Sequence, residues 1–114
     1  MSNRIQQVNQ VIKEEISKII FREIDFPKNI MVTITRVETL VNLREAKIYV
    51  SVIPEEEINK ILRILERQIY NLQQKLNKRI QMRPIPKIKF LPEKETSQAG
   101  KIEEILERLK KEKK

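Results

Sequence analysis

Between residues 55 and 91 the apolar positions advance in alternating steps of three and four: Ile58, Leu62, Leu65, Ile69, Leu72, Leu76 and Ile80. That spacing lays one stripe along a helix and predicts a long amphipathic α-helix. Glu55, Glu56 and Glu57 open it, where carboxylates suit the positive end of the helix dipole. Upstream, Ile5, Val8, Ile12, Ile16 and Ile19 mark a first helix. Ser2 or Asn3 is placed to cap it, and Pro27 ends it near Glu23. Between the two helices the period changes from 3.6 to 2. Residues 30–37 are rich in β-branched side chains and predict a strand. Ala46, Ile48, Val50 and Val52 then alternate with Lys47, Tyr49 and Ser51, the pattern of a strand with one buried face. Pro54 closes that strand, and a polar-edged connection without glycine over residues 38–44 joins the two.

Pro84 and Pro86 end the long helix, and a third strand is expected at about residues 87–91. Ile88 and Phe90 point to one face there, Lys87 and Lys89 to the other. A last helix over about residues 98–110 carries Ala99, Ile102, Ile105, Leu106 and Leu109 on one side, before a basic tail expected to fray. The order is α-β-β-α-β-α. The first two strands should be antiparallel, and the third should reach the second through a right-handed parallel crossover. The fold class is therefore α+β, a three-stranded mixed sheet with its helices on one face. The opposite face would carry Lys47, Tyr49, Ser51, Lys87 and Lys89. At 114 residues the chain is expected to be one domain.

The charge is unevenly spread. From Arg67 to Pro92 no acidic residue occurs, while Arg67, Lys75, Lys78, Arg79, Arg83, Lys87 and Lys89 are basic. Those seven nearly account for the formal net charge of +8, leaving the remainder close to neutral. An isolated lysine is ordinarily solvated surface. Seven cations with no acid among them are expected to neutralise nothing internally and to repel one another, a cost that a bound polyanion relieves. Most of Lys75, Lys78, Arg79 and Arg83 share a helix face by their spacing, and the two arginines can fork onto phosphate. Lys47 and Arg4 are further candidates. Base reading is expected to be slight, because only Tyr49 and Tyr70 could stack a base, and Tyr70 is read as lying at the core edge.

The chain has neither Cys nor His, which removes disulfides, thiolate chemistry and the common zinc sites. The three consecutive glutamates splay around a helix and do not converge on a metal. No nucleophile–base pair and no glycine-rich phosphate loop can be written, so neither catalysis nor a cofactor is expected. No apolar run has the length of a membrane span, and the N-terminus lacks the apolar core of a signal peptide. A cytoplasmic protein, monomeric when free, is the expectation.

The element order is that of the type II KH domain, an RNA-binding fold. Arg22-Glu23-Ile24, Pro27, residues 32–37, Leu43 and Ala46-Lys47-Ile48-Tyr49-Val50-Ser51-Val52 resemble the bacterial ribosome-binding factor A family. Arg4, Val8, Leu76, Lys78, Met82, Arg83, Pro86 and Phe90 match as well, so the likeness covers about residues 4–109. The chain departs from the KH pattern in its phosphate-binding loop, and from the family in its kink, in the turn before Leu43 and in the last-helix glycine, displaced by one to Gly100. The KH Gly-x-x-Gly loop cannot exist with Gly100 as the one glycine. The Ala-x-Gly that marks the family's helix-kink-helix aligns with Gln68-Ile69-Tyr70, which leaves a weaker kink, one shifted to about Tyr70-Asn71, or none. Asn42 stands where family members often have aspartate, before Leu43. The resemblance implies a small-subunit assembly factor that binds the free 30S subunit and 16S rRNA and assists pre-rRNA maturation, with importance in the cold. The residues alone also admit a general KH-like RNA-binding protein, or a helical module whose basic face docks an acidic protein.

Overall fold

The computed structural model describes residues 2–82 and 84–93. Helix α1 spans Ser2–Glu23, and strands β1 and β2 span Met31–Thr39 and Glu45–Ile53. A 3-10 turn at Glu55–Glu57 leads into α2 (Ile58–Arg67), followed by α3 (Ile69–Arg79) and β3 (Lys87–Pro92). The expected last helix lies outside the described residues, as does the side-chain cap expected at Ser2 or Asn3. The sheet order is β1-β2-β3, with β1 antiparallel to β2 and β2 parallel to β3. All three helices pack against one sheet face, as the alternation in β2 predicts. Ala46, Ile48, Val50 and Val52 are buried there with Ile88 and Phe90. From the helices, Ile12, Ile16, Ile61, Leu65, Leu72 and Leu76 are fully buried against them.

One feature departs from the sequence reading, and another settles a point that it leaves open. The glutamate trio forms a 3-10 turn instead of the first turn of an α-helix, with Glu57 N–H donating to Pro54 O at 3.0 Å. The long helix also breaks at Gln68, whose backbone sits at φ −98° and ψ 4°. Its N–H is shared between Ile64 O at 3.3 Å and Leu65 O at 3.1 Å, and α3 restarts with Leu72 N–H on Gln68 O at 2.9 Å. Neither glycine nor proline occupies the break, so tertiary contacts set it. The segment before it packs on β2 and β3, and the segment after it packs on α1 and β3. The sequence leaves open a weaker kink at the triplet, one shifted to about Tyr70-Asn71, or none; the helix breaks at Gln68, the first residue of the triplet.

Strand β1 runs two residues further than expected. Ile34 pairs with Val50 and Arg36 with Tyr49, so Thr35 is an inserted residue, a β-bulge. Both Ile34 and Val37 are buried, three positions apart, which strict period-2 alternation cannot deliver. The bulge restores both to the core and turns Arg36 outward. The hairpin closes with Leu40 N–H on Glu45 O at 2.9 Å. Asn42 Oδ1 accepts Arg44 N–H at 2.8 Å, a turn bond that an aspartate could make equally well. At the far edge, Gln73 on α3 fixes the start of β3. Its Oε1 accepts Ile88 N–H at 2.9 Å and its Nε2 donates to Pro86 O at 3.1 Å.

Thr39 is 7% exposed on the inner face, and its hydroxyl has no partner among the described residues. An unpaired buried hydroxyl costs about 1–3 kcal/mol, and valine has nearly the same shape. Thr39→Val is therefore expected to raise stability by about 1 kcal/mol. Urea unfolding checks this, and a lowered midpoint with unchanged slope would refute it.

Candidate nucleic-acid interface

The fold divides the basic run. Lys87 and Lys89 are exposed on the outer sheet face, where Lys89 neighbours Lys47 across the β2–β3 ladder. Lys75, Lys78 and Arg79 lie on α3, in the helix layer on the other side of the sheet. Arg67 is exposed in the last turn of α2, and Arg4 is exposed in the first turn of α1. Arg83 falls outside the described residues. The sequence candidates thus form two separate groups with two outliers, because a helix-to-strand crossover carries successive residues to opposite layers.

The expectation that the run neutralises nothing internally is corrected at two positions. Arg79 Nε lies 3.0 Å from Glu15 Oε1, and Lys75 Nζ lies 3.5 Å from Glu23 Oε2. Both acids come from α1, which runs antiparallel to α3, so the compensation is distant in sequence and close in space. Arg67, Lys78, Lys47, Lys87 and Lys89 carry no ion pair among the described residues. Lys47 faces Glu38 across the β1–β2 ladder, and Lys87 faces Glu45 across β2–β3, so acidic residues interrupt the cations of the sheet face.

A second cluster on that face has no counterpart in the sequence reading. Glu93, just past β3, is only 4% exposed in its side chain. Its Oε2 accepts Thr35 Oγ1 at 2.9 Å and Arg36 Nε at 2.8 Å, and its Oε1 accepts Arg36 Nη2 at 3.3 Å. Arg36 also pairs with Glu38, and its guanidinium carbon stands 3.9 Å from the centre of the Tyr49 ring. The Tyr49 hydroxyl donates to Glu38 Oε1 at 3.3 Å. Partial burial pushes the Tyr49 phenol above its usual range; the Glu38 charge pushes the same way and Arg36 opposes it. One ring face of Tyr49 is therefore covered. Tyr70 corrects the expectation of a core-edge position, being 75% exposed. Residues 57 apart form the Arg36–Glu93 contact, and the odd Ile34-to-Val37 spacing was the one local signal that Arg36 faces outward.

Comparison with known proteins then places the chain. The family model of ribosome-binding factor A matches residues 4–106. The chain belongs to the ribosome-binding factor A family. A relative of that name from Caldanaerobacter subterraneus is 36% identical over 113 residues, covering 97% of this chain and 93% of its own. Another, from Thermodesulfovibrio yellowstonii, is 31% identical over 108 residues, covering 95% and 92%. The crystal structure of ribosome-binding factor A from Thermus thermophilus aligns at a TM-score of 0.58 and 27% identity, over 80% of this chain and 92% of that one. A Thermus thermophilus homology model fitted into a cryo-EM map of a 30S complex with the factor aligns at 0.58 and 28% identity, over 78% and 90%. These family structures share the α+β arrangement described above.

Loss of the Glu93 carboxylate removes charge-assisted hydrogen bonds from a nearly buried group. Glu93→Gln is expected to cost about 1.5–3 kcal/mol. Glu38→Gln, at a half-exposed ion pair, is expected to cost less than about 1 kcal/mol. Paired urea titrations test the ranking, which fails if the two losses are equal.

Proposed function

We propose that this chain, as one KH-like RNA-binding domain, binds the free small ribosomal subunit and assists maturation of its precursor rRNA. The observation that carries the reading is the near full-length family match, together with a structural neighbour fitted into a 30S complex. The cations support it. Lys47, Lys87 and Lys89 on the sheet face, Lys75, Lys78 and Arg79 on α3, and Arg67, Arg83 and Arg4 beyond them would contact phosphates of 16S rRNA. With neither Cys nor His in the chain, a binding role suits its chemistry better than catalysis. No helix among the described residues is long and apolar enough to cross a membrane, and a cytoplasmic place beside the subunit follows from the proposed partner. Importance in the cold belongs to the same reading.

Co-sedimentation with separated small subunits, large subunits and joined ribosomes is the direct test. Pelleting with free small subunits alone is the expected outcome, and equal pelleting with all particles overturns it. Four to six phosphate contacts give a slope of log K against log salt of about −3 to −5. Lys78→Glu and Lys89→Glu, one on each layer, should each reduce that slope by at least about 1. Competition by rRNA fragments separates this reading from docking on an acidic protein.

The α1 carboxylates give a test with the opposite sign. Glu15→Gln with Glu23→Gln releases Arg79 and Lys75 and is expected to tighten small-subunit binding. The two partly exposed pairs should cost less than about 1 kcal/mol each in stability. Unchanged affinity in the same assay removes Lys75 and Arg79 from the interface.

A further inference from the structure

We propose that the groove between the end of α1 and the start of β1 is the docking site of this chain's own C-terminal segment, residues 98–110. The groove holds about 600 Å³ and is lined by Ile20, Phe21, Ile24, Phe26, Ile30 and Val32, with Asp25 beside them. Phe21 is 88% exposed at its rim, although a phenylalanine at that place gains about 1.5–3 kcal/mol on being covered. Nothing among the described residues covers it.

Three observations select the occupant. The first is where the chain leaves the sheet. Pro92 pairs with Val50, and Glu93 N–H donates to Val50 O at 2.7 Å. Continuing parallel to β2 carries the chain toward Val52 and Ile53, whose partners on β1 are Val32 and Met31. The groove lies at that same end of the sheet. The Glu93 side chain also reaches across β2 to Thr35 and Arg36 of β1.

The second is reach. From Val50's partner Ile34 to Ile30 is four residues along β1, and β3 lies two strand spacings away, which together make about 16 Å. The segment between Glu93 and Ala99 extends to about 20 Å. The connection is long enough and leaves little slack.

The third is chemical fit. Ala99, Ile102, Ile105, Leu106 and Leu109 fall at helical spacing in the sequence, and the inner sheet face is already occupied by α1, α2 and α3. Glu103 and Glu107 flank that stripe on one side, Lys101 and Arg108 on the other. Asp25 lines the groove, and Arg22 and Lys28 are exposed within two residues of its lining residues Phe21 and Phe26, a partner for each sign.

The absence of cysteine allows a single-site probe in the full chain. A nitroxide on Lys28→Cys, or independently on Arg22→Cys, flanks the groove without altering its apolar lining. Amide signals of residues 102–109 are expected to lose intensity relative to the reduced label, and Leu106→Asp should restore them. In an equal mixture of labelled natural-abundance chain and unlabelled 15N chain, those signals should stay intact. Broadening at Ile30 and Val32 without broadening at residues 102–109 overturns the proposal. Broadening in the mixed sample also overturns it, by making a second copy the occupant.

Discussion

Ile34 and Val37 both have to reach the core, and they stand three positions apart in a strand whose faces alternate every residue. One inserted residue, Thr35, resolves the conflict. Without it Arg36 would share the inner face with Ile34, leaving a guanidinium among Ile48, Val50 and the buried helix residues at a cost of several kcal/mol. With it, Arg36 lands opposite Tyr49 on the outer face, where the ring, Glu38 and Glu93 can all meet it. The cluster then ties β1 to the residue following β3 across the intervening strand. A local repair of hydrophobic register thus sets the chemistry of the outer face.

Charge follows the same logic of register and layer. Residues 67–92 contain only cations among their ionisable acids and bases apart from Tyr70, yet in space the run is divided by a sheet. Its α3 part is drawn to α1, whose Glu15 and Glu23 lie opposite Arg79 and Lys75. These pairs are partly exposed and so contribute little to stability. Their larger effect is on availability, since an anion approaching Arg79 must share it with Glu15. Lys78, pointing elsewhere on the same helix, has no such competitor among the described residues.

How much of this could be read in advance depended on the range of each interaction. The α1 stripe, the alternation from Ala46 to Val52 and the proline bracket before Lys87 are local patterns, and each gave its element to within about two residues. The outward set Lys47, Tyr49, Ser51, Lys87 and Lys89 followed from parity alone. The break at Gln68 was open because neither glycine nor proline marks it; it arises from two halves of one amphipathic stripe packing on different neighbours. Glu93, Glu15 and Glu23 were invisible as partners because their cations are 57, 64 and 52 positions away. No periodicity reports contacts of that range.

The break has a further consequence for the interface. Arg67 ends α2 and Tyr70 lies in the first turn of α3, both exposed and separated by one turn across Gln68. Tyr49 has one ring face occupied by Arg36, whereas Tyr70 is 75% exposed. The break therefore leaves a cation and an accessible ring exposed within three positions of each other. On the sheet face and α3, the cations without an ion pair among the described residues are lysines, compact charges suited to following a backbone without reading sequence. Within the proposed function, shape and phosphate contact would then set the affinity, in keeping with the slight base reading expected from the sequence.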